Sequence, residues 1–274
     1  MAANVVDPNL NPITIREVWA QNLNSEFKDI SSAIDQYPCI SMDTEYPGVI
    51  FKPAGDYLML SQEEKYELLK SNVDALNLIQ LGITLSDADG NLPELEIGNR
   101  RVRVVWQFNF SDFDLTRDKH APDSIKLLIN HGINFEANQV SGIKSFHFSE
   151  LLMSSGLVLN ESVSWVTFQG GYDIGYLLKI LTRRELPREF DNFLEYARVF
   201  LGNNFYDVKH LMGVCNLYGG LNWVASALGL NRVAGRQHQA GSDSLLTCHV
   251  FYRMRNNYFV DGVPDRHSGR FAWY

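Results

Sequence analysis

Apolar residues recur along the chain with two periods, one of three to four and one of two, and the switches between them mark out helices and strands. Ile15, Val18, Trp19, Leu23, Phe27, Ile30 and Ile34 are spaced mostly by three and four, which predicts an amphipathic helix over 15–34. Residues 39–46 read as a strand that Pro47 must stop, since proline has no N–H for a ladder. Tyr66, Leu69, Val73 and Leu76 form one stripe of a helix over 62–78. Residues 79–85 and 102–110 read as two more strands, joined across a polar loop into an antiparallel pair beside the first. A short helix is expected from Pro122 to about residue 130, then a polar linker to Ser145, then a helical segment within 148–159. Residues 164–168 form a fourth strand, which breaks at Gly170-Gly171 into a helix over 172–181. Further helices are expected over 186–201, 206–215, 221–228 and 239–254.

Strands alternating with helices predict one α/β domain, a mixed sheet with helices on both faces. The expected division is a flexible N-terminus over 1–14, a single domain over 15–260 and a C-terminal tail over 261–274. A length of 274 residues suits one such domain, and no internal repeat suggests a solenoid. No apolar run could span a bilayer and nothing resembles a signal peptide, so no membrane partner is expected. Cys39, Cys215 and Cys248 are dispersed and odd in number, which points to free thiols in a reducing compartment rather than a zinc ribbon or a disulfide framework. The net charge of −8 argues against a broad basic surface for nucleic acid. It leaves room for a nuclease, because a metal-loaded acidic site reverses the local sign of charge.

Acidic residues stand at the expected strand ends and helix starts. Asp43 and Glu45 are two apart on a strand, so both project from one face. Two like charges held that close favour protonation unless a cation neutralises them, and Mg²⁺ or Mn²⁺ suits oxygen ligands. A solvated strand face ending in a turn would carry the same pattern. Asp173 falls in the first turn of the helix after the fourth strand, where the dipole favours a carboxylate and where a simple capping role is equally available. His238 and Asp243 are five residues apart, about 140° on an ideal helix, so they can share a site only if His238 lies in the entering loop. Together these make four carboxylates and one imidazole able to converge on one sheet edge. Two divalent ions cleaving a phosphodiester need such a cage, and a neutral imidazole could take the proton from attacking water.

The order D-x-E, Y-D, H-x-x-x-x-D resembles the DEDD exonuclease superfamily, histidine subtype. The longer strings E-V-W-A-Q-N-L, S-M-D-T-E-Y-P-G-V, N-V-D-A-L-N-L-I-Q-L-G, G-Y-D-I-G-Y-L-L-K-I-L, Y-D-V-K-H-L-M and H-Q-A-G-S-D-S-L-L-T resemble the carbon catabolite repressor-associated factor deadenylases. The resemblance implies a ribonuclease-H-like fold and a 3′→5′ exoribonuclease, dependent on two divalent ions, Mg²⁺ or Mn²⁺. Its substrate would be the poly(A) tail of messenger RNA, its effect message decay and repression, its place the cytoplasm and nucleus. Its implied partners are poly(A) RNA, a Not-type scaffold and the partner deadenylase of the same complex. Asp43, Glu45, Asp173 and Asp243 would be the metal carboxylates, with Asp43 bridging both ions, Glu45 and Asp243 on the nucleophile side and Asp173 on the other. His238 would be the general base.

Tyr46, Pro47 and Gly48 are candidate substrate contacts, and Met153 lies in the segment that the resemblance associates with the scaffold. Gln169-Gly170-Gly171 departs from the Asn that proofreading exonucleases carry ahead of Tyr-Asp. Arg100, Arg101 and Arg103 in the loop 94–104 read as a solvated hairpin rather than an RNA contact. Trp19, Trp106, Trp165 and Trp223 read as core or helix-packing residues, and His120, His131, His147 and His210 as structural or exposed. An adaptor that keeps the fold but serves scaffold and regulators, or a DNA exonuclease of the same superfamily, would share much of this pattern. An adaptor, however, need not retain all five site positions.

Overall fold

The computed structural model of the chain describes residues 11–272. Among the described residues, seven strands form one mixed sheet: β1 (Ile13–Val18), β2 (Cys39–Glu45), β3 (Gln80–Ser86), β4 (Glu94–Ile97), β5 (Arg100–Asn109), β6 (Ser164–Thr167) and β7 (Phe205–Asp207). They lie in the order β1-β5-β3-β2-β6-β7, with β4 paired to β5 as a hairpin. β2 pairs antiparallel with β3 and parallel with β6, so the strand bearing Asp43 and Glu45 is held on both edges. Helices α1 (Leu23–Ala33), α2 (Gln62–Ala75), α3 (Pro122–Asn130), α4 (Phe135–Ser141), α5 (Ser145–Ser154), α6 (Gly171–Thr182), α7 (Phe190–Leu201), α8 (Val208–Val214), α9 (Leu221–Ala227) and α10 (Ala240–Tyr258) complete it.

The period of two along the strands sorts side chains between two cores. Ile40 and Met42 of β2, Leu81, Ile83 and Leu85 of β3 and Val104, Trp106 and Phe108 of β5 pack with α1, α2, α5, α6 and α7. Cys39, Val105 and Val166 pack on the other face with α8, α9 and α10. Most of that second face of β3 is small and polar. Thr84 Oγ1 meets Ser244 Oγ at 2.9 Å, and Ser86 Oγ donates to the Tyr252 hydroxyl at 3.2 Å. At Gly82 the helix backbone comes so close that a Cβ would lie 2.0 Å from the Ala240 carbonyl oxygen and 2.5 Å from the Gly241 nitrogen. Gln107 Oε1 accepts the Gly241 N–H at 2.9 Å. This close, hydrogen-bonded seat fixes where α10 begins, and so where Asp243 stands.

Several expectations are corrected. Residues 15–18 belong to a strand, not to the helix expected over 15–34, because β1 finds a parallel partner in β5 that local periodicity cannot reveal. Asn22 ends the strand by accepting the Trp19 N–H at 2.7 Å, and α1 starts one residue later. Arg16 then pairs with Glu26, a carboxylate only 1 % exposed that also accepts the Trp106 indole N–H at 3.0 Å. Of the N-terminal segment expected to be flexible, residues 1–10 lie outside those described, and Ile13 and Thr14 already sit in the sheet. The polar linker before Ser145 contains α4, capped by Asn134, whose side chain accepts the Ala137 N–H. The segment 206–215 opens with a strand residue of β7 rather than a helix.

The tail expected from 261 packs onto the domain. Phe271 stacks against Phe205 with ring centroids 4.8 Å apart, and the Ala272 N–H donates to Asp207 Oδ2 at 2.9 Å. Trp106 and Trp165 are core residues as expected, but Trp223 is 54 % exposed.

The Gly82 seat yields a direct test. Gly82→Ala forces α10 off β3 and should lower stability by about 1–3 kcal/mol, the usual cost of overpacking. Thermal melting of the variant checks this, and a melting temperature equal to wild type would mean that the seat can yield.

Candidate functional site

Asp43 and Glu45 project from the α10 face of β2, as their spacing requires. Asp173 arrives from the first turn of α6, 6 % exposed, where Thr44 Oγ1 donates to its Oδ1 at 2.6 Å. Asp243 arrives from the first turn of α10, 7 % exposed. His238 lies in the loop entering α10, in the left-handed region at φ 58°, and its backbone N–H donates to Asp243 Oδ2 at 2.9 Å. The loop placement removes the helical-face conflict between these two residues.

Two adjoining hollows meet at Asp43. One, of about 440 Å³, is lined by Asp43, Glu45, Tyr46, Trp223, His238 and Asp243 among others. The other, of about 470 Å³, is lined by Asp43, Tyr46, Phe168, Gln169, Tyr172 and Asp173 among others. Tyr46 walls both, its ring stacked on Tyr172 with centroids 5.1 Å apart. Pro47 and Gly48, expected as substrate contacts, line neither. The Pro47 carbonyl accepts the Ala121 N–H at 2.8 Å, and a Cβ on Gly48 would strike Ser124 Oγ at 2.2 Å, so both serve the packing of α3.

Burial dominates the electrostatics. It pushes the Asp43 carboxyl well above the usual range, helped by the charges of Asp173 and Asp243, and does the same to Glu45, with Asp243 and Asp173 adding to it. Burial raises Asp173 to about 7, against the opposing Thr44 hydrogen bond. Asp243 is also raised by burial, opposed by the guanidinium of Arg232, whose Nη2 donates to Asp243 Oδ1 at 2.5 Å. Burial lowers His238, which keeps its imidazole neutral near pH 7. Gln237 Nε2 lies 3.0 Å from His238 Nε2. An amide N–H can only donate, so this contact leaves Nε2 as the lone-pair nitrogen.

One ligand atom each from Glu45, His238 and Asp243 lie within 4.8 Å of one another. Carboxylate oxygens around one imidazole, with Asp43 adjacent, fit a hard divalent ion. Four carboxylates that resist ionisation for want of positive charge call for one. Asp173 across Asp43 offers a second position on the same terms.

Sequence reading missed three supporting residues. Arg232 forks between Asp243, Ser242 Oγ at 2.7 Å and Asn222 Oδ1 at 2.9 Å, tying α9 to the site. Asp207, fully buried, accepts the backbone N–H groups of Gln169, Gly170, Lys209 and Ala272. Its two oxygens thereby fix the turn that presents Asp173 and hold the C-terminal tail, and burial raises its carboxyl to about 6. His131, read from sequence as structural or exposed, sets its ring edge-to-face with His238, centroids 4.7 Å apart. Arg232 and His131 carry no local motif; Asp207 lies in the string Y-D-V-K-H-L-M, but only the fold shows what it holds.

The model of the CAF1 family ribonucleases matches residues 18–150. Over 258 residues the chain is 50% identical to the probable CCR4-associated factor 1 homolog 7 of Arabidopsis thaliana, covering 94% of this chain and 92% of the relative. It is 44% identical to the poly(A) ribonuclease pop2 of Schizosaccharomyces pombe, covering 92% of this chain and 72% of the relative. The solved structure of S. pombe Pop2p in its Mg²⁺- and Mn²⁺-bound form superposes with a TM-score of 0.86 at 42% identity, over 96% of this chain and 100% of that one. A chain in the solved structure of the yeast NOT1 MIF4G domain co-crystallised with CAF1 superposes with a TM-score of 0.75 at 33% identity, over 94% of this chain and 96% of that one.

The raised carboxyl of Asp173 predicts a pH signature in metal-free protein. A group whose folded pKa is raised contributes stability that is full below its unfolded value, near 3.8, and is lost as pH rises through about 7. Asp173→Asn abolishes that loss. In EDTA the variant should therefore be increasingly more stable than wild type between pH 4 and 7, by about a few kcal/mol, as measured by denaturant unfolding. With Mg²⁺ present the order should reverse. A pH-independent difference in EDTA would count against charge repulsion at this site.

Proposed function

The chain belongs to the CAF1 ribonuclease family, and from that membership we propose how its own residues carry out the reaction. The protein is a metal-dependent 3′→5′ exoribonuclease that shortens the poly(A) tails of messenger RNA, with two divalent ions, Mg²⁺ or Mn²⁺, as cofactors. That a relative of 44% identity is named a poly(A) ribonuclease supports RNA, rather than DNA, as the substrate. Presence of all five site positions around one pair of hollows favours an enzyme over an adaptor.

The observation that carries the assignment of roles is the position of Asp43, the one carboxylate that lines both hollows. It would help hold both ions, Glu45 and Asp243 would help hold the one on the His238 side, and Asp173 would help hold the other. Bound ions would neutralise the cluster, polarise the scissile phosphate and lower the pKa of the attacking water. The remaining work is proton transfer and orientation by the chain. His238, held neutral by burial, would accept the proton of that water once its Nε2 lone pair is released by the Gln237 amide. Gln237 and His131 hold the ring from two sides. Arg232 opposes the protonation of Asp243 and aims it, and Tyr46 forms part of the wall of the site.

A Not-type scaffold is a partner, in keeping with the co-crystallised relative. For its docking we propose the outward stripe of α5. Phe146 and Met153 lie seven residues apart on one helical face, 43 % and 42 % exposed. The reading extends to the partner deadenylase of the same complex. It also extends to the cytoplasm and nucleus, which hold polyadenylated messages and whose reducing conditions suit the three free thiols.

The decisive experiment pairs hydrolysis of oligo(A) with metal stoichiometry by calorimetry. EDTA should abolish hydrolysis, and Mg²⁺ or Mn²⁺ should restore it; full activity in chelator would sink the two-ion reading. His238→Ala should cut turnover about 10²–10⁴-fold, the usual range for general acid–base catalysis, with both ions still bound. Asp243→Ala should lose an ion together with activity. Because His238 stands within ligand distance of Glu45 and Asp243, equal loss of metal in both variants would make it a ligand and not the base.

For the scaffold, Met153→Arg should weaken binding of a Not-type MIF4G domain and spare hydrolysis of free oligo(A). Unaltered binding in a pull-down would move the interface elsewhere.

A further inference from the structure

Core packing does not account for Trp223. It sits on α9, whose Val224 and Ala225 are buried in the core beneath α10, yet its own side chain is 54 % exposed and lines the hollow that holds Asp43, Glu45, His238 and Asp243. An exposed indole costs hydrophobic free energy that burial elsewhere would recover, so its place on the wall of an acidic cleft asks for a ligand with an apolar face.

The ring is also held flat. A Cβ built on Gly219 would fall 2.9–3.0 Å from Cδ2, Cε3 and Cγ at once, which puts the Gly219 backbone directly over one face of the indole. Gly219 is in the left-handed region at φ 114°, so both its conformation and this contact require glycine. Lys209 locks the turn, its ammonium donating to the Gly219 carbonyl while lying 5.7 Å from the Phe168 ring centroid. On the other side, Asn222 is tied through Arg232 to Asp243. The indole is therefore seated on a glycine and registered to the metal carboxylates through one guanidinium fork. One face is covered by backbone, which leaves the other for a ligand.

We propose that Trp223 is a base-stacking platform for an adenine of the RNA strand adjacent to the scissile phosphate, and so a specificity-determining residue of this enzyme. The proposal rests on the reading above that the substrate is poly(A). Stacking on an aromatic face is the standard means of holding single-stranded nucleic acid without positive charge. A chain of net charge −8 has particular use for it. Purines offer more ring surface than pyrimidines, so a rigid, pre-seated indole favours adenine over uracil without hydrogen-bond readout.

The test uses the full chain with Mg²⁺ and two RNAs of equal length, oligo(A) and the same strand with its last three bases removed to leave abasic sugars. Trp223→Ala should raise KM for oligo(A) about ten- to a hundred-fold, the range that base–aromatic stacking supports, with kcat little changed. Trp223→Phe should recover most of the loss. The abasic strand should be cleaved with the same KM by wild type and Trp223→Ala. Binding of an oligo(A) whose terminal linkages are non-cleavable phosphorothioates should quench tryptophan emission, and the quenching should vanish in Trp223→Phe. An unchanged KM for oligo(A), or equal losses on both strands, would overturn the proposal. Failure of the wild type to hydrolyse oligo(A) at all would instead refute the proposed function. Quenching by the non-cleavable strand would still report on Trp223 in that case.

Discussion

Mutual repulsion among four carboxylates in one poorly hydrated place is the constraint on which the rest of this structure depends. Asp43, Glu45, Asp173 and Asp243 come from three elements separated by up to 200 residues of chain, and burial drives the carboxyl of each toward its neutral form. Nothing local holds such groups together; left free, they would separate. The fold confines them chiefly through the backbone, with Thr44 and Arg232 each holding one carboxylate. β2 is held on both edges by β3 and β6, and α10 is seated on β3 at a contact that admits no side chain. Two of the carboxylates stand at helix N-termini, where the dipole offsets part of the cost. The residual deficit of positive charge is what gives a site of this kind its affinity for divalent cations.

Support for this arrangement is polar, buried and indirect. Arg232 and Asp207 play mirror roles. The first is a cation that steadies Asp243 from α9's side; the second is an anion that gathers four backbone N–H groups to shape the turn before Asp173. Because one of those four belongs to Ala272, the C-terminal tail is part of the same network as the reaction centre. Hydrogen-bonded networks in a low dielectric are rigid when complete and costly when broken. A tail that packs here is therefore a constraint on the site, not an appendage.

Much of this was legible in the sequence wherever the signal is local. The strand carrying Asp43 and Glu45 shows itself through period-two apolar residues and a terminating proline. The helix start at Asp173 shows itself through its glycines. The long strings that resemble a known family predict the ribonuclease-H-like fold and the metal-dependent deadenylase activity. What was illegible depends on distant partners. β1 has helical spacing and becomes a strand only because β5 offers a parallel edge; β7, three residues long, exists only as the neighbour of β6. Pro47 and Gly48 sit beside the motif in sequence but turn into the packing of α3, whereas Arg232, Asp207 and His131 lie far from it in sequence and touch it in space. Trp223 was misread for the opposite reason: helical periodicity suggests burial, but the indole occupies the one side of α9 that opens on the cleft.

An acidic protein that acts on a polyanion cannot draw its affinity mainly from counterion release, which needs many lysines and arginines along the strand. Here the groups that line the reaction hollow are carboxylates, aromatics, an imidazole, leucines, and the amides and hydroxyls of Asn222, Gln237, Thr44 and Ser124. Attraction for phosphate must then come largely from the ions that the carboxylates hold, so binding the strand and cleaving it draw on the same charges. The remainder must come from contacts insensitive to charge, of which stacking on a flat, fixed ring is the simplest. Such a division has a consequence for selectivity. Ions recognise any phosphodiester, RNA or DNA, A or U, and cannot by themselves favour a homopolymer. Preference for one base has to reside in the uncharged walls of the cleft, and those walls are built from residues such as Trp223 that a search for acidic motifs passes over.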